Sequence, residues 1–448
     1  MFFLIPMTTE QYKQRVEKLF SRHQSFQSVG SEAYKPGLGN MEFIDQMAGH
    51  PHRRYRTVHV AGTNGKGSVS SMLASALAST GLRVGLYTSP HILDFRERIR
   101  VIDNDGVKLI SRDQVWDFLE RWEETADHIG MSFFEITTAM ALDYFDFQKV
   151  DIAVIETGLG GRLDSTNIIK PVLSVITNIG LDHCDILGST LPEIAFEKAG
   201  IIKEGVPAVI GESSPETDPI FERKFHYINS SLVEKPRLVF ADKEPLADNF
   251  EELLESLDLK GNYQRANLRT VLAALGALGV EPPKEALSHA AARTGFHGRW
   301  ETVSDNPWII CDIGHNAHGL KYNFGKLSEM LESGEISGLT MVYGSVSDKD
   351  VDAALTLLPK GARYIFTNAA SARAMAAGEV LRRFLALGGD PSSAIALPSV
   401  PQAMSAAYVF TPDPPAANKE EPAARRLIYV GGSTYVVAEA MAFLNYSL

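Results

Sequence analysis

Cysteine is nearly absent: Cys184 and Cys311 are the only two in 448 residues. Two thiols cannot build a disulfide framework, and they fit a reducing compartment. Positive charge is in deficit, with 43 Lys and Arg against 55 Asp and Glu and a net charge of −12. That balance excludes a general nucleic-acid coat and a polybasic membrane binder, while leaving room for a local basic pocket. Long apolar runs are missing too. The stretch Met1 to Met7 is apolar but short, lacks a basic leader and runs into polar sequence, so it reads as neither signal peptide nor anchor. No later run reaches the roughly 18 residues that a bilayer demands. The expectation is a cytoplasmic protein with no nucleic-acid or membrane partner.

What is present is ordinary globular sequence, 45% hydrophobic and 22% charged. The length predicts two to three domains, because single cores rarely grow past about 250–300 residues. No internal repeat is found. After a polar helical start (Thr9 to Phe20) comes a strand, Thr57–Ala61, a glycine-rich loop, Gly62–Gly67, and a helix with Val69, Met72, Leu73, Ala76 and Leu77 at helical spacing. Arg83–Tyr87 is the next strand, which makes a βαβ unit and implies a parallel sheet. Arg98–Ile110, with Asp103-Asn104-Asp105-Gly106 at its centre, reads as a hairpin. Helices are expected over 113–128, 135–147, 190–199 and 264–278, and strands over 152–156 and 172–177. The rhythm breaks near 297 and restarts with strands at 308–311, 339–343, 364–367 and 427–430 and helices near 320–331, 374–387 and 435–444. The fold class is therefore α/β, with domains over 1–297 and 298–448. Thr411 to Ala424, rich in Pro and Ala, reads as a surface loop.

Five segments carry candidate chemistry. In His59-Val-Ala-Gly-Thr-Asn-Gly-Lys-Gly-Ser68, loop amides and a helix N-terminus can cradle phosphate, Lys66 can reach terminal phosphates and Ser68 can assist. The spacing departs from the standard Walker A pattern, which wants glycine at 60 and Ser or Thr at 67; the plain alternative is a glycine turn with an exposed lysine. In Ala153-Val-Ile-Glu-Thr-Gly-Leu-Gly-Gly-Arg162, Glu156 ends a strand where ligands collect in open α/β sheets. It can hold magnesium beside a nucleotide, or pair with Arg162. His183, flanked by Asp182 and Asp185, is a metal or phosphate ligand or an ordinary loop residue. Cys184 has no CxxC partner, so a structural zinc site is not expected. Lys198 near a helix end either complements the helix dipole or does something composition cannot reveal. Finally, Asn267, Arg299 and Asp312-Ile-Gly-His-Asn-Ala-His318 flank the break, and Arg299 reads equally as an anion clamp or an ion-pair partner.

Together the stretches HVAGTNGKGSV (59–69), YTSPHILDFRERI (87–99), FFEITTAMAL (133–142), VIETGLGGRLDSTN (154–167), ITNIGLDHCDILG (176–188), IAFEKAGIIK (194–203), NYQRANLRT (262–270) and CDIGHNAHG (311–319) resemble the folylpolyglutamate synthase/dihydrofolate synthase family, a branch of the Mur-ligase-like ATP-dependent amide ligases. GTNGKGS is the loop form of that branch. The resemblance implies an N-terminal P-loop Mur-ligase-like domain and a smaller Rossmann-like C-terminal ligase domain, with ATP between them. It implies ATP and Mg2+ as cofactors, and L-glutamate with dihydropteroate or a reduced folate as substrates; a monomer is the separate expectation. By the same resemblance Thr63, Asn64, Gly65, Lys66, Gly67 and Ser68 form the phosphate cradle, and Asn267, Arg299 and Asp312 contact ATP. Ser89, Glu156 and His183 match magnesium ligands, and Lys198 matches a lysine that is carbamylated to complete a second metal site. His315 aligns with a histidine near the phosphates, Phe133 and Phe134 with the pterin-holding part, and Ser433 with a glutamate-binding position. Ala317 replaces a frequent proline, which bears on loop stiffness, not on Asp312 or His315. Two other readings stay open: a Mur-like ligase for another carboxylate, which would want an extra N-terminal domain, and a P-loop hydrolase or switch.

Overall fold

Strands β1 (Arg56–Ala61), β2 (Val84–Tyr87), β5 (Ile152–Glu156) and β6 (Leu173–Ile176) are buried on both faces, apart from Arg56 at the start of β1. That is the mark of parallel strands covered by helices on two sides. With β3 (Ile99–Asp103), β4 (Gly106–Leu109), β7 (Ala208–Ile210) and β8 (Leu238–Phe240) they form one sheet of order β4-β3-β2-β5-β1-β6-β7-β8. Only the β2–β3 and β3–β4 pairs run antiparallel. The expected hairpin is present: Asp103 pairs with Gly106 across a tight turn. The computed structural model describes residues 9–23, 30, 35–347, 349–410 and 425–446. The expected loop 411–424 and the run Met1 to Met7 lie outside the described residues.

The helices start where the capping chemistry directs. Ser111 with Gln114, Ser132 with Glu135 and Thr190 with Glu193 each form a capping box. Helix Phe133–Phe147 packs on one sheet face with Tyr87, Ala153 and Ile155 in an aromatic-rich core. Helix Lys66–Ala78 starts two residues earlier than the apolar spacing suggested. It is buried from Gly67 to Ala78, not along one stripe. Its serines explain this: Ser75 Oγ donates to Ala286 O (2.7 Å) and accepts from Arg293 Nε (3.0 Å), so the segment 284–294 covers the side away from the sheet. Small side chains allow that second contact.

The second sheet contains β9 (Glu301–Asp305), β10 (Trp308–Asp312), β11 (Ile336–Tyr343), β12 (Arg363–Thr367), β13 (Ala394–Leu397) and β14 (Arg425–Gly431), in the order β13-β12-β11-β14-β10-β9. All neighbours are parallel except β9 and β10. The edge strands β9 and β13 escaped the sequence reading because edges are half exposed and carry little apolar pattern. The chain divides into two compact units, Met1–Asp258 with Arg265–Phe296, and Leu259–Gln264 with His297–Leu448. Leu259–Gln264 belongs with the second unit for a visible reason: Tyr263 OH donates to Asp312 Oδ2 at 2.8 Å.

Candidate active site

In the first unit, β5, β1 and β6 lie side by side in parallel, with Val60 opposite Glu156 and Ala61 opposite Ile176. Their carboxyl ends therefore release three loops at one place. The loop after β1 is held by its neighbour. Thr63 N donates to Asn178 O (3.0 Å), Asn64 N to Asn178 Oδ1 (2.9 Å), and Thr177 Oγ1 to Asn64 O (2.5 Å). Glycine is required twice here. Gly62 has φ +150°, and a Cβ on it would sit 1.8 Å from Thr177 Oγ1; Gly65 has φ +81°, and a Cβ there would sit 2.2 Å from Asn267 Oδ1. Asn267 thus packs against the cradle loop, on the helix Gln264–Leu278. Gly67 and Ser68 follow in the first helical turn, both buried.

The Gly62 carbonyl accepts from Lys66 Nζ at 3.0 Å and from Lys198 Nζ at 2.9 Å; Lys66 also reaches Thr63 O at 3.2 Å. Lys198 is 3% exposed, so it is not a solvent-facing residue at a helix end. Burial, and secondly the nearby Lys66 ammonium, push its amine down to about 7. Part of the Lys198 population is therefore neutral at neutral pH.

Glu156 ends β5 with a buried carboxylate. Its Oε2 receives Ser89 N at 3.4 Å and would lie 3.7 Å from a Cβ on Gly67, so it sits between the cradle helix and the β2 loop. The Arg162 guanidinium binds Glu197 (2.8 Å). The glycine loop beyond Glu156 is pinned by a buried relay. His59 Nε2 donates to Thr166 Oγ1 (2.8 Å), which donates to Asp164 Oδ1 (2.5 Å), while Asp164 Oδ2 accepts from the amides of Gly158 and Leu159. Burial pushes His59 down to about 3 and raises Asp164. His183 stands at φ +53° at the head of the short helix Cys184–Leu187. Among the described residues no three His, Cys, Asp or Glu side chains converge into a metal cage. Glu156, with Ser89 bonded to it through the backbone amide, offers a sparse oxygen donor set; His183 stands on the separate loop after β6. Magnesium takes few protein ligands and completes its shell with water and phosphate oxygens, so these residues fit it. The Thr157 hydroxyl, buried without a hydrogen-bond partner next to Glu156, is a further oxygen on this strand end.

Phe133 and Phe134 open the next helix. Phe133 is buried, stacked on Phe20 (centroids 4.3 Å) with the Arg98 guanidinium 5.2 Å above its ring. Phe134 tilts on Tyr87 at 6.0 Å, and its ring fills the space a Cβ on Gly158 would need. It therefore borders the glycine loop, whereas Phe133 lies in the aromatic core.

In the second unit Asp312 is a fixing point at the end of β10. It accepts from Tyr263 OH, Trp300 N (2.8 Å) and Gly314 N (2.7 Å). Arg299 precedes Trp300, which holds φ +48°, and its segment is also gripped by Glu301, whose carboxylate takes Gly298 N, His297 Nδ1 and Tyr446 OH. His315 Nδ1 lies 3.1 Å from Ile313 O. Ser433 is buried and caps the helix Thr434–Phe443 through Tyr435 N (3.2 Å). The structure thus brings Thr63, Asn64, Gly65, Lys66, Lys198 and Asn267 around one loop, with Glu156 beside Gly67 and in turn bonded to Ser89 N. Arg299, Asp312 and His315 gather around the start of the second unit. Thr177, Asn178, Asp164 and Thr166 were missed as supports of these loops. Thr177 and Asn178 carry one sequence signal, polar residues immediately after the apolar strand β6, whereas Asp164 and Thr166 lie in the loop well past β5 and carry none.

A family model described as the Mur ligase middle domain matches residues 60–226. The dihydrofolate synthase/folylpolyglutamate synthase of Bacillus subtilis (strain 168) is 38% identical over 336 residues, covering 70% of this chain and 76% of that protein. The solved structure of E. coli FolC in complex with DHPP and ADP superposes with a TM-score of 0.78 at 27% identity over 97% of each chain. The bifunctional folylpolyglutamate synthase/dihydrofolate synthase of Yersinia pestis complexed with AMPPNP and Mn ion gives a TM-score of 0.77 at 26% identity, covering 99% of this chain and 100% of that one. With two α/β units and this likeness over most of its length, the chain belongs to the dihydrofolate synthase/folylpolyglutamate synthase family.

Proposed function

We infer that this chain is an ATP-dependent ligase that joins L-glutamate to dihydropteroate, to tetrahydrofolate or to both. A carboxylate is a poor acyl donor. Its oxygen must first attack the γ-phosphorus of ATP, expelling ADP and leaving an acyl phosphate. The glutamate amine then attacks the acyl carbon, and phosphate leaves with the C–O bond electrons. The observation that carries the reading is the Gly62–Gly65 loop at a parallel strand end, with two lysines on one carbonyl and the Glu156 carboxylate beside Gly67. The loop amides and Lys66 bind the phosphates, Asn267 orients the nucleotide against the cradle, and Arg299, Asp312 and His315 supply the second unit's nucleotide contacts. Glu156, Ser89 and His183 would hold the magnesium that neutralises phosphate charge as two anions approach. Lys198, buried with a depressed amine, suits the carbamylation that the resemblance implies. Phe134 borders the acceptor, Phe133 backs it, and Ser433 lies where the incoming glutamate binds.

We further propose that it works as a cytoplasmic monomer on small molecules alone. No helix among the described residues is long and apolar enough to cross a membrane. Light scattering tests the monomer. The activity is tested by ADP release with ATP, magnesium, L-glutamate and each acceptor in turn. Release should require both glutamate and an acceptor; turnover indifferent to both would favour a nucleotide hydrolase or switch.

A further inference from the structure

Arg100 is a buried arginine that the ligase reading leaves without a task. It lies on β3 and is 3% exposed, yet its Nε and Nη1 have no hydrogen-bond partner. A guanidinium out of water is normally satisfied by a carboxylate or phosphate, because its desolvation is otherwise uncompensated. Its position shows what it faces. Arg100 stands opposite Leu86 on β2, and Leu86 stands opposite Val154 on β5. The flanking residues Ile99, Val101, Tyr87, Ala153 and Ile155 belong to the aromatic core on the other face. Strand alternation therefore puts Arg100 on the face of Val154 and Glu156, the face covered by the cradle helix. Two strand spacings and two residues separate Arg100 from Glu156, a diagonal of about 12 Å between backbones that two long side chains span.

Two carboxylates face the guanidinium, Glu97 and Glu156; burial nevertheless pushes it down to about 10. Neither is at its disposal in the usual way. Glu97 accepts from the amides of Ile92, Leu93 and Asp94, holding the loop before β3. Glu156 lies beside Gly67 and Ser89, toward the phosphate cradle. A fixed cation with unmet donors, on the cradle's own sheet face, is suited to an oxyanion arriving there.

We propose that Arg100 is a phosphoryl-binding residue of the active site, offering its guanidinium to oxygens of the phosphoryl group that ATP gives up. The proposal rests on the ligase reading above. Its chemistry is that of a preorganised donor where negative charge accumulates, and the source of the oxygens is either ATP's terminal phosphate or the acyl phosphate formed from it.

The test compares wild type, Arg100→Gln and Arg100→Lys by steady-state kinetics, AMPPNP–magnesium calorimetry and thermal melting. Arg100→Gln should lower kcat about 100-fold, the effect of losing one such donor, with KM for glutamate changed less than twofold. Arg100→Lys should recover about tenfold of that loss. A matching fall in AMPPNP affinity assigns the oxygens to ATP; unchanged affinity with lost kcat assigns them to the acyl phosphate, and either supports the proposal. A rise confined to the acceptor's KM would mean carboxylate binding and overturn it. Lower melting with all kinetic constants within twofold would overturn it too, leaving Arg100 a countercharge for Glu156. If Arg100→Gln does not fold, Arg100→Lys decides by the same kcat criterion. A wild-type chain without glutamate-dependent turnover refutes the ligase reading, whereas equal kcat in wild type and both variants refutes Arg100 alone.

Discussion

Gly62→Ala tests the cradle most directly. A methyl at 62 meets two penalties. The backbone sits at φ +150°, where an L residue is strained by roughly 1–3 kcal/mol. The Cβ would lie 1.8 Å from Thr177 Oγ1, less than any real contact, so the hydroxyl must swing away or the loop must retreat by more than an ångström. The first response breaks the Thr177–Asn64 hydrogen bond, worth about 1 kcal/mol. The second moves the carbonyl that holds both Lys66 and Lys198, and a displacement of that size near reacting groups lowers rates about 100-fold. The expected outcome is a melting temperature lower by about 2–6 °C and kcat reduced about 100-fold. Thr177→Ala removes the hydroxyl but leaves its Cβ 3.0 Å from the new methyl. Added to Gly62→Ala it should therefore restore part of the activity, although alone it weakens the loop. The assays are thermal melting and ADP release for the wild type, both single variants and the double variant. A Gly62→Ala chain within threefold of wild-type turnover would refute the reasoning, as would a double variant showing the two losses simply added.

Lys66→Ala should abolish ligation while the melting temperature shifts by only a few degrees; product formation near the wild-type level would remove Lys66 from the phosphate site. Lys198→Ala should cut turnover at least about 100-fold, and wild type in 13C-bicarbonate should show a carbamate carbon by NMR that the variant lacks; an unmodified Lys198 counts against the second metal site. His59 gives a pH signature. Its folded value of about 3 lies below the unfolded 6.5, so the neutral ring contributes stability above pH 6.5 that is lost as pH falls toward 3. The loss approaches about 1.4 kcal/mol per pH unit, and His59→Gln should flatten it between pH 6.5 and 5, above the range of ordinary carboxylates. Parallel melting-versus-pH curves for the two proteins in that window would sink the claim.

Much of the fold was legible because parallel strands buried on both sides write continuous apolar runs. Ile152–Glu156 and Gln264–Leu278 have the boundaries that the sequence predicts. The capping box at Thr190 announced its helix chemically, whereas the one at Ser132 went unread and its helix starts at Phe133, two residues before the expected Glu135. The short strands β7 and β8 and the edges β9 and β13 left too little pattern, since three residues or one exposed face carry no period. The serines of helix Lys66–Ala78 misled in the other direction. A polar side chain reads as solvent-facing until a second layer, here 284–294, is known to cover it.

The sequence by itself determined the architecture's grammar and the family, because glycine loops at strand ends and their flanking residues are local and contiguous. Gly62, Lys66, Glu156 and His59 each stand in such a run. What each one touches was decided only by tertiary structure. Lys198 lies 136 positions from the carbonyl it binds, and Asn267 lies some 200 from Gly65. Arg162 meets Glu197, 35 positions on, because the helix Leu191–Lys198 ends beside it. Arg100 looks like any strand residue in Arg-Val-Ile-Asp until sheet register puts it on the cradle face. The physical reason is one and the same: periodicity and loop chemistry are set by neighbours in the chain, whereas desolvation, charge pairing and close approach are set by neighbours in space.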